Sequence, residues 1–510
     1  MILGNTERET DAPRTTLDDL FRRAGVRNPQ GVALVDPPNR EVFTDGTPRR
    51  LSYAEADRVV SAFAARLRHL GLQTDAVVGM QLANTVESVL AVLAVLRAGM
   101  IAVPLPLLWH KQDMVAALRL IGAKAIITAS RIGSTRHAEI ATQAAAELFP
   151  IRYVCAFGRE LPDGVVPLDD LFAADQRDFV QPSVRPGNAA AHVAVVTFNL
   201  AADGLMPVAR NHSELIAGGL AVFLEGGIPQ DAKILSAIPL GSFAGIALTA
   251  LPWLLSGGTL SLHHAFDPDT FAAQCRTHDT GAVVLPGPAL APLAQAGHLD
   301  NVKNIVALWR SPERMDACGP WRGETALVDV ACFGEIGVLT TRRGADGMPL
   351  PFPRGIVSAP RGAAGAITVA EAMRTGAGTL ALRGPMVPAH AFPPGTERGE
   401  APHLGVNAAG FVDTGATCRL DRATDTLVVT GPPGGITVVG GYRFRQVEVD
   451  WLVAHADLDA TIVALPDGML GQRLAGSAPE PEVTVEELQA CGANPLIAGA
   501  FRPRERANAA

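Results

Sequence analysis

From about residue 50 the apolar positions alternate between helical spacing and short continuous runs. In LSYAEADRVVSAFAARLRHLGL, Ser52 and Glu55 make a capping box ahead of Val59, Val60, Phe63, Leu67 and Leu70, and Gly71 ends the element. VVGMQL predicts a strand, TVESVLAVLAVLRAG a mostly apolar helix stopped at Gly99, MIAVPLP a strand, KQDMVAALRLIG a helix and AKAIIT a strand. The rhythm resumes in AKILSAIPL, GTLSLHH, GAVVLP, NIVALW and ALVDVACF, which read as strands with helical segments between most of them. Such alternation predicts an α/β protein whose parallel-rich sheets are covered by helices.

The texture changes between about residues 355 and 430. Glycine and proline become dense, and GTLALRGP and DTLVVTG predict strands of a smaller β-rich part. GPPGG, residues 431–435, is the best linker candidate. After it, ITVVGGYRFRQVEVDWLVAH and ATIVALP predict a strand, a helix and another strand. The expected organisation is a large N-terminal domain over 1–430, a hinge at 431–435 and a short α+β C-terminal domain over 436–510.

Composition narrows the function classes. Of 510 residues, 48% are hydrophobic and 18% charged, with a net charge of −8. No basic stripe suggests nucleic acid, and no basic amphipathic segment suggests a membrane surface. The chain is uncharged from Ala237 to Leu262, long enough to raise a membrane span. Pro239, Pro252 and the pair Gly257-Gly258 are expected to break it into a strand end, a helix and a strand start. The opening MILGNTERETDAPRTT is polar and acidic, unlike a signal peptide. The six cysteines form no CxxC pair and lack close histidines, so reduced thiols in a cytoplasmic protein are expected.

Five blocks in fixed order carry a resemblance that covers nearly the whole chain: LSYAEADRVVSAFAARL, VVGMQLANTVESVLAVLAVLRAGMIAVPL, GTLALRGPMV, GFVDTGATCRLD and VEVDWLVAHADLDATIVALPDGMLGQRLAG. Together they resemble the adenylate-forming superfamily of acyl- and aryl-CoA synthetases, luciferases and peptide-synthetase adenylation domains. The resemblance implies ATP-dependent activation of a carboxylic acid to an acyl-adenylate, with magnesium, and transfer to a thiol, commonly that of coenzyme A. Catalysis of that kind places cationic and hydrogen-bonding groups where phosphate charge develops.

The family's motif positions are unusually filled here. The family's phosphate loop, rich in Ser, Thr and Gly and ending in Pro-Lys-Gly, corresponds to Phe198-Asn199-Leu200-Ala201-Ala202-Asp203, with Met206 at the lysine. Hydroxyls have become apolar, and Asp203 adds an anion where the resemblance puts a polyphosphate. One misplaced charge at about 4 Å can cost about 4 kcal/mol in a partly screened site. Arg210, four residues on, is a candidate to compensate.

In CFGEIG, Phe333 and Gly334 match the start of a Tyr-Gly-x-Thr-Glu motif. That implies a ring against adenine and, at Glu335, a magnesium-holding carboxylate; the alternative is an ordinary buried turn with Glu335 as a cap. In DTGAT, Thr414 and Gly415 match, but Ala416 stands where the family's ribose-gripping aspartate would be, and Asp413 would have to reorient to replace it. In the hinge, Pro432 replaces an arginine and Gly435 the pivot aspartate. No lysine follows Lys303, so the lysine that the family carries near its C-terminus has no counterpart.

An acyl pocket is expected from Ser242, Phe243, Gly245 and Gly287. Trp309 and Arg310 replace a small run against which adenine packs in the family, unless they are plain surface-loop residues. The resulting expectation is a synthetase-like protein that keeps a pocket for a carboxylic acid or acyl thioester while ATP-dependent adenylation is lost or strongly altered. The alternative is an active divergent acid–CoA ligase that uses Arg210, Arg310, Arg314, Glu335 and Asp413. A third is ATP-independent acyl transfer or an interaction role, with a protein partner or a homodimer. No metal site is certain from the residues.

Overall fold

The computed structural model describes residues 14–173, 179–277, 281–361 and 365–502. Residues 1–13 of the polar N-terminal stretch and 503–510 of the C-terminal segment lie outside these. Three sheets carry the large part of the chain. In the first, seven strands run in the order Val166–Pro167, Tyr153–Phe157, Ala125–Ala129, Val77–Met80, Ile101–Pro104, Val193–Ala201 and Gly204–Asn211. All pair in parallel except the last two, which form an antiparallel hairpin.

The second sheet has eight strands: Gly337–Arg342, Ala326–Phe333, Asn304–Trp309, Ala282–Pro286, Lys233–Ser236, Thr259–Leu262, Val32–Val35 and Arg50–Ser52. Its centre is parallel and both edges are antiparallel. The glycine- and proline-rich region builds the third, a six-stranded antiparallel sheet drawn from Phe352–Pro353 to Thr426–Pro433.

The apolar patterns explain these elements. The Ser52/Glu55 capping box is formed, and the helix Tyr53–His69 buries Val59, Val60, Phe63 and Leu67. The helix Val86–Arg97 is apolar nearly all round, and every residue in it is buried, as a helix without a polar face requires. Its Glu87 is paired with Arg40 and Arg49, which neutralises the buried charge.

Two predicted details differ. The uncharged stretch does divide into a strand end, a helix and a strand start, but Pro252 lies within the helical run and does not divide it. A helical run continues from Phe243–Gly245 through a π-helical turn, Ile246–Ala250, into Leu251–Ser256. The wide turn ends at Ala250, and Pro252, which has no N–H to donate, falls in the first turn of Leu251–Ser256, where a proline is tolerated. No helix among the described residues is long and apolar enough to cross a membrane.

The second difference follows the linker candidate. Gly431, Pro432 and Pro433 end the strand Thr426–Pro433, and the turn itself is Gly434-Gly435, with Gly435 at φ +71°. The expected single strand beyond it is a hairpin, Ile436–Val439 with Tyr442–Arg445, turning at Gly440-Gly441. The helix Gln446–Ala456, a second hairpin of Thr461–Asp467 with Gly471–Ser477, and the helix Pro481–Ala490 follow. Their core, from Val439 through Leu488 to Phe501, is separate from the clusters of the large part. This arrangement matches the two-domain fold that the resemblance implies.

Candidate functional site

In open α/β sheets, ligands collect at the carboxyl ends of the strands. Here two sheets present those ends to one cavity of about 750 Å³. Leu82 and Leu105 follow strands of the seven-stranded sheet. Pro239, Pro288, Arg310 and Glu335 follow strands of the eight-stranded one. The small domain closes the remaining side with Tyr442, Arg443 and Leu452 and with the turn at Asn494. A cavity of this size suits a ligand the size of a drug or acyl group.

Polar contacts hold the small domain in place. Tyr442 Oη accepts from Leu108 N at 3.3 Å, and Asn494 Nδ2 donates to Leu108 O at 3.1 Å. Arg314 Nη1 donates to Gly471 O at 3.4 Å. One loop residue of the large domain is thus gripped through its backbone from two sides.

The cavity wall is mostly apolar, with Trp109, Phe198, Leu200, Leu205, Phe266 and Leu308 among its residues. Its charged groups are Arg310, Arg314, Arg443, Arg445, Glu335, Asp113 and Glu448. Arg445 pairs with Glu448 at 2.7 Å. Burial pushes the Asp113 carboxyl above its ordinary value, although the His110 N–H donates to it at 3.0 Å. Glu335 Oε2 accepts from Phe243 N at 2.6 Å, and Glu335 N donates to Asn199 Oδ1 at 3.2 Å.

Arg443 reaches from the small domain to the same Asn199 Oδ1, at 3.1 Å. Arg443 is half-buried and lines the cavity. Burial pulls its guanidinium below its ordinary value; Cys332 and Glu335 oppose the shift and Arg310 adds to it. Gly334 makes this meeting possible. Its φ is +59°, and a Cβ there would overlap Asn199 Oδ1 and lie 2.6 Å from Arg443 Nη1.

Glu335, Gly334, Arg310 and Ser242 all lie in the cavity wall. Ser242 Oγ caps Gly245 N at 3.1 Å and accepts from Arg310 Nη2 at 2.9 Å. Arg310 is therefore in the site and not on a surface loop. Trp309 lines the wall too, with its Nε1 donating to Asp329 at 2.6 Å.

The other named residues are elsewhere. Arg210 is 2% exposed and outside the wall. It donates to the carbonyls of Glu335, Ile336 and Met386 and stacks 3.7 Å from the Phe243 centroid. It braces the Glu335 turn from behind, so its charge does not face the cavity. The Phe333 ring is buried against Phe352, away from any position in which it could stack on a ligand in the cavity. Phe243 lies in the core under Arg210. Gly245 approaches the Pro239 carbonyl and Gly287 the Trp309 ring so closely that a Cβ would overlap either, so both are packing positions behind the wall.

The motif positions on strands differ most from expectation. The expected phosphate loop is not a loop. The strands Val193–Ala201 and Gly204–Asn211 pair along their length and turn through Ala202-Asp203 alone. Asp203 is exposed at the tip, and Met206 is buried in the core, so neither lines the cavity. Asp413 is exposed on its strand; it accepts from Thr379 Oγ1 at 2.7 Å and from Gly415 N at 2.8 Å. Thr414 Oγ1 donates to Leu380 O at 2.7 Å, and Ala416 packs in the core. Pro432 and Gly435 are likewise outside the wall.

Sequence reasoning missed Asn199 as a junction and missed Arg443 altogether. The available signal was an arginine two residues after the Gly440-Gly441 turn. Its meaning depends on a contact across 244 residues.

The family model described as AMP-binding enzyme matches residues 21–315. The chain is 26% identical over 499 residues to pyochelin synthase PchD of Pseudomonas aeruginosa, covering 93% of this chain and 86% of that protein. It is 23% identical to the medium-chain fatty-acid–CoA ligase of Escherichia coli, covering 89% and 81%. Among solved structures, the amide bond synthetase McbA from Marinactinospora thermotolerans superposes with a TM-score of 0.69 at 21% identity, over 95% of this chain and 94% of that one. That likeness is one of fold.

Proposed function

The chain belongs to the AMP-binding enzyme family, and from that premise we propose that it binds an apolar carboxylic acid or its acyl thioester while ATP-dependent adenylation is lost or strongly altered. The observation that carries this reading is the closed hairpin beside an open cavity. A phosphate loop works by leaving backbone N–H groups free to wrap oxygens. Here residues 193–211 form a paired hairpin with a two-residue turn, and the N–H groups that face the partner strand are used in its ladder. The ladder's cavity side offers Phe198, Leu200 and Leu205, which suit an acyl or aryl body.

The other nucleotide positions point the same way. Ala416 is in the core, Asp413 is bonded to Thr379 and Gly415, and Met206 faces apolar neighbours. These residues do not fit a magnesium–ATP complex in the way the resemblance implies. No group of three or more His, Cys, Asp or Glu side chains that could hold a metal ion occurs among the described residues. The name of one relative, a medium-chain fatty-acid–CoA ligase, agrees with a carboxylic-acid ligand.

One observation favours the active-ligase reading. Arg310, Arg314 and Glu335 share one cavity, as a substituted nucleotide site would require. Titration calorimetry with ATP and magnesium, up to millimolar nucleotide, separates the two readings. The binding-protein reading expects no heat with ATP and saturable heat with medium-chain or aryl acids. Saturable ATP binding followed by acid-dependent pyrophosphate exchange would overturn it in favour of the ligase.

A further inference from the structure

Arg310 and Arg443 approach the cavity from opposite domains. Arg310 follows the strand Asn304–Trp309 of the large domain, and Arg443 lies in the hairpin strand Tyr442–Arg445 of the small one. Each spends one N–H on a neutral partner: Ser242 Oγ at 2.9 Å and Asn199 Oδ1 at 3.1 Å. Among the described residues neither pairs with a carboxylate within 4 Å, whereas the buried Arg40, Arg97 and Arg343 all do. The chain pairs those three with carboxylates and turns the buried Arg210 onto three backbone carbonyls, whereas these two half-buried arginines face a largely apolar cavity. Burying like charges without counter-ions is unfavourable. Two planar forks that line one cavity, each with N–H groups beyond the one bonded to protein, can serve as a receptor for a planar anion.

The nearby carboxylate does not fill that role. Glu335 Oε2 is taken by the Phe243 N–H. Arg310 is also pressed against the Gly440-Gly441 turn: a Cβ on Gly441 would lie 2.8 Å from its Cδ. The two arginines thus meet where the domains meet.

We propose that Arg310 and Arg443 form an interdomain clamp for the carboxylate of an apolar acid, whose hydrocarbon body lies along Phe198, Leu200 and Leu205. The clamp rests on the reading of the cavity as an acid pocket. It adds the residues that recognise the anion and makes the ligand a bridge between the two domains. A ligand that touches both domains stabilises their closed arrangement by its differential affinity for it.

The test uses the full chain with octanoate, its neutral counterpart octanamide, inorganic phosphate and octanoyl-CoA as probes in calorimetry. Octanoate is expected to bind at least tenfold more tightly than octanamide. Arg310→Gln and Arg443→Gln should each remove most of that preference, and Arg443→Lys should keep part of it. Thermal unfolding of each variant checks that it folds, and the octanoate–octanamide comparison needs no variant at all. In the wild type, octanoate should also slow proteolysis at Gly434-Gly435, and octanamide should do so less.

Equal binding of acid and amide would overturn the clamp and leave the pocket reading intact. Tight phosphate binding lost in both glutamine variants, with octanoate no better than octanamide, would make the site a phosphate site and also overturn it. Binding of octanoyl-CoA alone would assign the arginines to a thioester's phosphates and overturn the carboxylate assignment. If none of the four probes binds, the pocket reading itself falls and the clamp with it.

Discussion

At Gly334 the backbone turns left-handed so that a strand end, an asparagine and an arginine from the other domain can share one point. Gly334→Ala should cost about 1–2 kcal/mol from the left-handed backbone alone, and more from the overlap with Asn199. Urea unfolding measures this, and an unchanged midpoint would contradict the packing described. His212 is a second sensitive residue. Its Nδ1 accepts the Leu17 N–H at 3.3 Å, which only a neutral ring can do. Burial holds it at about 4, well below its ordinary 6.5. The folded chain therefore binds fewer protons than the unfolded chain between these values. Stability is full above about pH 6.5 and falls as pH drops towards 4, by roughly 3 kcal/mol for a shift of this size. His137 and His264, also held at about 4 by burial, act in the same direction. Asp36 opposes them: burial, then Glu87, raises it to about 6, so its cost eases as pH falls through 6. Urea midpoints at pH 7 and 5 should show a net loss, shallower in His212→Gln, which keeps an acceptor for Leu17. The sequence exposed Glu335, Arg310 and Ser242 because local motifs flank them. It misplaced Arg210, because nothing in a run of residues tells whether a guanidinium faces a cavity or three carbonyls.

Elements were legible wherever one local rule sufficed. The capping box at Ser52, the buried helix Val86–Arg97 and the short apolar strands follow from cap chemistry and hydrophobic period. The misreadings came where two rules competed. Pro252 should break a helix, but it falls in the first turn of Leu251–Ser256, where a proline is tolerated. Residues 198–203 should form a loop by family resemblance, but the apolar residues there and just beyond, including Phe198, Leu200 and Leu205, favour strand pairing. Hydrogen exchange measures the consequence. Amides of the ladder from Val195 to Asn211 should exchange slowly, and millimolar ATP should leave them unchanged. Fast exchange there would mean the hairpin opens and frees its donors.

For the molecule as a whole, we propose that the boundary between domains lies at Gly434-Gly435, a narrower hinge than the five-residue linker the sequence suggests. Gly431–Pro433 are held in the six-stranded sheet, while the two glycines have no side chains to pack. Limited proteolysis of the full chain should cut there first, leaving a large fragment and a small one that still carries its own core from Val439 to Phe501. A first cut within the glycine-rich sheet would place the weak point elsewhere. The small domain's separate core was legible as a change of texture. Its seat against Leu108 was not, because Tyr442 and Asn494 act there through a partner more than 300 residues away.

Under the proposed loss of adenylation, the closed hairpin bears on how readily the chain could regain it. Met206 stands at the lysine position of the resembled motif, yet its side chain enters the core. Met206→Lys would bury an ammonium among apolar neighbours, at a cost of several kcal/mol, and would not bring it to the cavity. Exchanging Asp203 for glycine would alter only an exposed tip. Single substitutions therefore supply no phosphate contact, and at Met206 the change also lowers stability. The hairpin acts as a ratchet: a return to the resembled chemistry would require unpairing and lengthening the whole segment in one step.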